Sequence, residues 1–117
     1  GENFLALLTN FDFGKQDVQK NKSVKIISQA GNSMLNMCDP ELLGKIISDG
    51  KVKMKITKNY YHDQLVEQYE AEELLKKADS INLVGNETIS LSLNLGIGSK
   101  QGVKYIDGIP FLLIFKM

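Results

Sequence analysis

Residues 51–58 alternate cleanly: Lys51, Lys53 and Lys55 point one way, and Val52, Met54 and Ile56 the other. A strict period of two marks a strand with one dry face and one wet face. Such strands belong to antiparallel sheets, because strands of a parallel sheet are buried on both faces and read as continuous apolar runs. An amphipathic helix is excluded here, since its apolar positions would recur at three and four residues. The segment commits part of the chain to a half-solvated antiparallel sheet.

The remaining patterns are consistent with that start. Val24–Ser28 and Ser33–Cys38 are apolar, strand-like runs on either side of Ala30-Gly31-Asn32, which predicts a hairpin. Ile81–Val84 predicts a short strand, and Val103–Ile106 with Ile109–Met117 predicts a closing hairpin about Asp107-Gly108. Glu67–Asp79 predicts a helix, with Ala71, Leu74, Leu75 and Ala78 at helical spacing. Its glutamates come first and Lys76 and Lys77 last, matching the macrodipole. Glu72 with Lys76, and Glu73 with Lys77, are expected to pair across one turn.

A further helix of about two turns is expected from Asp39. Asp39 is a good N-cap, Pro40 suits the first helical position, and Glu41 complements the dipole. Leu42, Leu43, Ile46 and Ile47 share a face, and Gly50 suits the C-terminal cap. Asn59–Asp63 reads as a turn carrying Tyr60, Tyr61 and His62. Ile89, Leu91, Leu93 and Leu95 alternate with polar residues, which favours a strand, although Asn86 could cap a helix. Gly96–Gly102 is a glycine-rich loop; its Gly96-Ile97-Gly98-Ser99-Lys100 lacks phosphate-loop spacing.

The expected fold is α+β: a mainly antiparallel sheet of about five strands with two or three helices on one face, in a single domain. That domain spans residues 24–117. Residues 1–23 form an N-terminal extension, an apolar segment containing Phe4–Leu8 followed by a lysine-rich linker.

Composition narrows the function. Lysine supplies every basic residue, 14 in all, against 14 acids, so the net charge is zero. The global field of a nucleic-acid or membrane-surface binder is missing, although a local basic patch remains open. Without arginine, the preferred fork for guanine edges and phosphates, sequence-specific DNA reading is not expected. Cys38 and His62 are the sole residues of their types. No intramolecular disulfide or cysteine–histidine zinc site can form, and no metal or cofactor is expected. Any serine–histidine pair would have to use His62. Phe4–Leu8 is too short to span a membrane and follows no basic stretch, so neither a span nor a leader is expected, and a cytoplasmic location is.

Cys38-Asp39-Pro40-Glu41-Leu42-Leu43-Gly44-Lys45 is the most distinctive run. It follows a short hairpin and precedes a strand ending at Tyr60-Tyr61, the glutamate-rich helix, Asn82-Leu83-Val84-Gly85 and Gly108-Ile109-Pro110. In this order the segments resemble a small archaeal family of conserved proteins of unknown function, from about residue 24 to the C-terminus. The resemblance implies a helix over Ile89–Leu95, against the alternation, and that helix is the expectation taken forward. It also implies an association with translation, because relatives tend to be encoded near translation genes. The family tends to carry a histidine after the final proline, where this chain has Phe111.

Three groups of residues are candidates for function. Cys38 beside a helix start could be reactive, and Asp39 with Glu41 could serve acid–base or metal chemistry. Burial accounts for Cys38 and helix capping for Asp39 and Glu41, and both outweigh chemistry, so no catalytic residue is assigned and an enzyme is the rival reading. Gly44 costs about 1 kcal/mol inside a helix, which a close packing contact would justify. Gly44, Lys45, Lys51, Lys53, Lys55, Lys58, Tyr60 and Tyr61 form the candidate binding surface: lysines can follow phosphates and tyrosines can stack on bases. The leading expectation is a non-enzymatic binding module contacting a protein or ribonucleoprotein. A third reading is a homo-oligomer in which Phe4–Leu8 adds a strand to a neighbouring subunit.

Overall fold

The computed structural model describes residues 21–29 and 31–116. The expectations for Phe4–Leu8 and for the linker up to residue 20 lie outside them; the last two residues assigned to the linker, Lys22 and Ser23, instead open the first strand and are buried.

Lys22–Gln29 (β1) and Asn32–Cys38 (β2) form the expected hairpin, in register from Ser23 opposite Cys38 to Gln29 opposite Asn32. Gly31 turns the chain at φ +83°, a conformation that suits glycine. Next come Ile46–Asp49 (β3), Val52–Lys55 (β4), a one-turn helix Lys58–Tyr61 (α1) and Gln64–Val66 (β5). The predicted glutamate-rich helix is Gln68–Lys77 (α2). Ser80–Val84 (β6), Asn86–Asn94 (α3), Lys104–Ile106 (β7) and Ile109–Phe115 (β8) complete the chain. Six strands make one sheet in the order β5-β1-β2-β6-β8-β7, and β3 with β4 makes a separate ribbon. Every pair in the sheet is antiparallel except β2 with β6. The architecture is the expected mainly antiparallel α+β domain.

Adjacent residues of the central strands feed two cores, because side chains alternate across a sheet. Leu35, Met37, Ile81, Leu83, Leu112 and Ile114 pack with Ala71 and Leu75 of α2 and Ile89 of α3. Both longer helices thus cover one face. Cys38, Val84 and Ile109 point the other way, against Ile47 of β3, Ile56 and Tyr61 of α1. The ribbon and α1 therefore cap one end of the opposite face.

Three local expectations are corrected. The two-turn helix from Asp39 is absent; Pro40–Leu42 makes one 3-10 turn and the chain is extended by Leu43. Gly44 stands at φ +89°, outside the helical region, and Ile46 and Ile47 enter β3. The ribbon exists because Asp49 and Val52 flank a two-residue turn with Gly50 at φ +63°, a hairpin signal read instead as a helix cap. The Asn59–Asp63 turn is partly helical, started by Thr57, whose Oγ1 accepts from the Tyr60 N–H. In α2 the ion pair is Glu73 with Lys76 at 3.5 Å, three residues apart rather than four. Both partners are well exposed, so the pair adds little.

Residues 86–94 are helical, as the resemblance implied and the alternation did not. Strand β6 already has β2 on one side and β8 on the other, so the next segment finds no free edge beside the strand it leaves. Gly85, at φ +110°, turns the chain out of the sheet. Thr88, Ile89 and Ser92 then form the buried helical stripe.

Candidate functional site

The most suggestive residues of the sequence meet at one corner, and there they are fully engaged. Parallel pairing of β2 with β6 places Cys38 beside Val84. The N–H of Asp39 donates to the Val84 carbonyl at 3.0 Å, and the N–H of Gly85 donates to the Pro110 carbonyl at 3.0 Å. The Asp39 carboxylate then accepts three bonds: from Glu87 N–H at 3.0 Å, Thr88 N–H at 2.8 Å and the Thr88 hydroxyl at 2.6 Å. Asp39 is a helix cap after all, but of α3 rather than of the segment that follows it. Its charge sits at the positive end of that helix, leaving the N-terminus filled by the protein itself. A Cβ on Gly85 would collide with the Asp39 carboxylate, so the close approach also requires glycine.

This corner is a poor setting for chemistry. Cys38 is fully buried, and burial, followed by the charges of Asp39 and Glu41, pushes its thiol up from 9.0 to about 12. It is therefore a protonated thiol at neutral pH, held by a bond to the Asp39 carbonyl at 3.2 Å. Glu41 is exposed and does not join Asp39 in a paired site. Phe111, where the resemblance implied a histidine, packs against the second core.

A serine–histidine contact does occur: Ser23 Oγ lies 2.9 Å from His62 Nδ1. No local pattern points to Ser23 as the partner, since the two residues lie 39 positions apart. The Ser23 hydroxyl donates to the Tyr61 carbonyl at 2.7 Å, so it accepts from the imidazole rather than yielding a proton to it. Ser23 is also fully buried, and this pair is a structural tie. Among the described residues, no three histidine, cysteine, aspartate or glutamate side chains gather to hold a metal ion. No helix among them is long and apolar enough to cross a membrane.

The lysines lie elsewhere. Lys51 is in the ribbon turn, Lys53 and Lys55 are on β4, Lys45 precedes β3 and Lys58 opens α1; all are exposed. The expected half-buried strand is more open than its alternation implied. Ile56 is fully buried, but Val52 is 65% and Met54 42% exposed, and Ile46 across the ribbon is 66% exposed. A two-stranded ribbon reaching past the core exposes even its inner side chains.

Gly44, Lys55, Thr57, Lys58 and Asn59 line a groove of about 320 Å³. It is built by two bonds that fold the Gly44 bend onto the end of β4: Gly44 N–H to the Ile56 carbonyl at 2.6 Å, and Ile56 N–H to the Lys45 carbonyl at 2.9 Å. Lys25 reaches α1 from the sheet, its Nζ donating to the Asn59 carbonyl at 2.6 Å. Gly44 is explained by its positive φ, not by a packing contact, since nothing lies within 4 Å of where its Cβ would be.

Of the candidate surface, Gly44, Lys55 and Lys58 come together in this groove. Lys45, Lys51 and Lys53 extend along the ribbon. Tyr60 is 48% exposed, one residue beyond the groove lining. Tyr61 departs from the surface: it is buried, its hydroxyl accepts from Asn82 Nδ2 at 2.9 Å, and burial raises its pKa above 10.0. The two tyrosine rings contact at 5.4 Å between centroids, tilted by 49°.

Comparisons with known proteins address the fold and the family. A family model described as "Protein of unknown function (DUF424)" matches residues 27–117. The crystal structure of an uncharacterized conserved protein from Methanopyrus kandleri is similar, with a TM-score of 0.68 and 18% identity over 83% of this chain and 94% of that one. At that identity the likeness speaks for the fold. No curated protein matches the sequence.

Proposed function

We propose that this chain, which belongs to the DUF424 family of proteins of unknown function, is a non-enzymatic binding module that docks through the β3–β4 ribbon and α1. The supporting observation is the ribbon itself. Ile46, Val52 and Met54 are exposed beside Lys45, Lys51, Lys53 and Lys55, a mixed apolar and basic surface outside the main sheet. Residues 44–61 hold five lysines and one carboxylate, Asp49, within a chain whose charges balance. A contact surface needs exposed apolar area with charge to steer it, and the ribbon supplies both.

The enzyme reading is weakened by the geometry of its own residues. Asp39 is occupied by three donors, and the Cys38 thiol stays protonated. The partner we propose is a protein or ribonucleoprotein of the translation machinery, on the association that the sequence resemblance implies. Co-sedimentation with archaeal ribosomes at moderate salt tests it. The protein is expected in the pellet, and the Lys51→Glu, Lys53→Glu, Lys55→Glu triple variant in the supernatant. Equal pelleting of both would remove the ribbon from the reading.

A further inference from the structure

We infer that the groove between the Gly44 bend and α1 holds a phosphate of a single-stranded nucleic acid, with an adjacent base stacked on Tyr60. This rests on the binding-module reading and names the chemistry of one part of that surface.

The groove is rich in donors. Lys55 and Lys58 bring ammonium groups, and Asn59 brings a carboxamide. Thr57 Oγ1 accepts from the Tyr60 N–H, which leaves its own proton free to donate outward. Among the described residues, no carboxylate lines the groove. The Lys25 ammonium, bonded to the Asn59 carbonyl, adds a third positive charge beneath the same helix. Such a set matches an anionic oxygen group, and lysine acts there as a point charge.

Tyr60 selects the class of anion. It is exposed on the residue after Asn59, and its ring is braced against Tyr61, which is anchored by Asn82. A braced, exposed aromatic beside a cationic groove is the pairing by which proteins hold single strands: backbone in the charge, base on the ring. Duplex reading would require base-edge contacts, for which arginine is the main donor, and the chain has none.

Fluorescence anisotropy with a labelled decauridylate, titrated with the full chain at several salt concentrations, tests the inference. Binding is expected to weaken with salt at a log–log slope near −1.4 to −2, about 0.7 per phosphate neutralised. Lys58→Gln is expected to reduce that slope by about 0.7. Tyr60→Ala is expected to weaken binding about tenfold with the slope unchanged. Both positions are exposed, and circular dichroism melts that overlay the parent's would show that the fold is kept. No binding, binding indifferent to both substitutions, or equal binding to a duplex of the same length would overturn the inference. Ribosome co-sedimentation that still depends on Lys51 and Lys53, with no oligonucleotide binding, would overturn this inference alone. Loss of both would overturn the module reading with it.

Discussion

The corner at Asp39 and the ribbon at Lys51–Lys55 use charge in opposite ways. At the corner one carboxylate is buried and accepts three hydrogen bonds. On the ribbon the lysines are exposed, and none of them takes part in an ion pair among the described residues. The corner's letters look like chemistry and hold the fold together. The ribbon's letters look like a solvated strand and leave capacity unused. A polar group already saturated inside the molecule has nothing left to offer a ligand, whereas an exposed, unsaturated one has.

If this contrast is right, substitutions at the corner should cost stability, and substitutions on the ribbon should not. The largest effect is expected from Gly85→Ala. It combines a positive φ with a collision against Asp39, and a loss of about 3 kcal/mol is expected in urea unfolding. Asp39→Ala leaves the first turn of α3 without its acceptor, and about 2 kcal/mol should be lost, with early exchange of the Glu87 and Thr88 amides. If Asp39→Ala leaves stability unchanged, the corner is not the clasp described.

The same corner should show in alkali. Folding raises the Cys38 pKa from 9.0 to about 12, so the native state holds this proton more tightly than the unfolded chain does. Stability from this source is complete below pH 9 and falls as pH rises from about 9 toward 12. Tyr61, raised above 10.0 by burial, acts in the same direction at the upper end. Urea midpoints between pH 8 and 11 should therefore fall less steeply in Cys38→Ala than in the parent. A thiol reagent at pH 8 should label Cys38 only after denaturant is added. The smallest effect is expected on the ribbon: reversing Lys51, Lys53 and Lys55 together should move stability by about 0.5 kcal/mol or less. A larger loss would mean that those lysines serve the fold.

What was legible in the sequence was whatever depended on near neighbours. The 24–38 hairpin, the helix near 67–79 and the closing hairpin follow from periodicity and turn residues within a few positions. The Asp39 segment failed because its cap logic was right in chemistry and wrong in partner. The acceptor is Asp39, but its donors lie 48 and 49 residues further on, and no local rule reaches them. The alternation at Ile89–Leu95 misled for a related reason, because sheet edges already filled by β2 and β8 decide that segment. Among the candidate residues, the exposure of the lysine row was readable, but the groove was not. Gly44 and Lys58 become neighbours through the backbone bonds that tie 44–45 to Ile56. Tyr60 and Tyr61 carry the same side chain, and only the packing of α1 shows that one is surface and the other core.

Hydrogen–deuterium exchange of the protein with and without archaeal ribosomes puts both regions into one measurement. Bound ribosomes are expected to slow exchange across residues 44–60 and to leave residues 38–43 and 84–90 unchanged. Added protection at the corner, with 44–60 exchanging as in the free protein, would contradict the account.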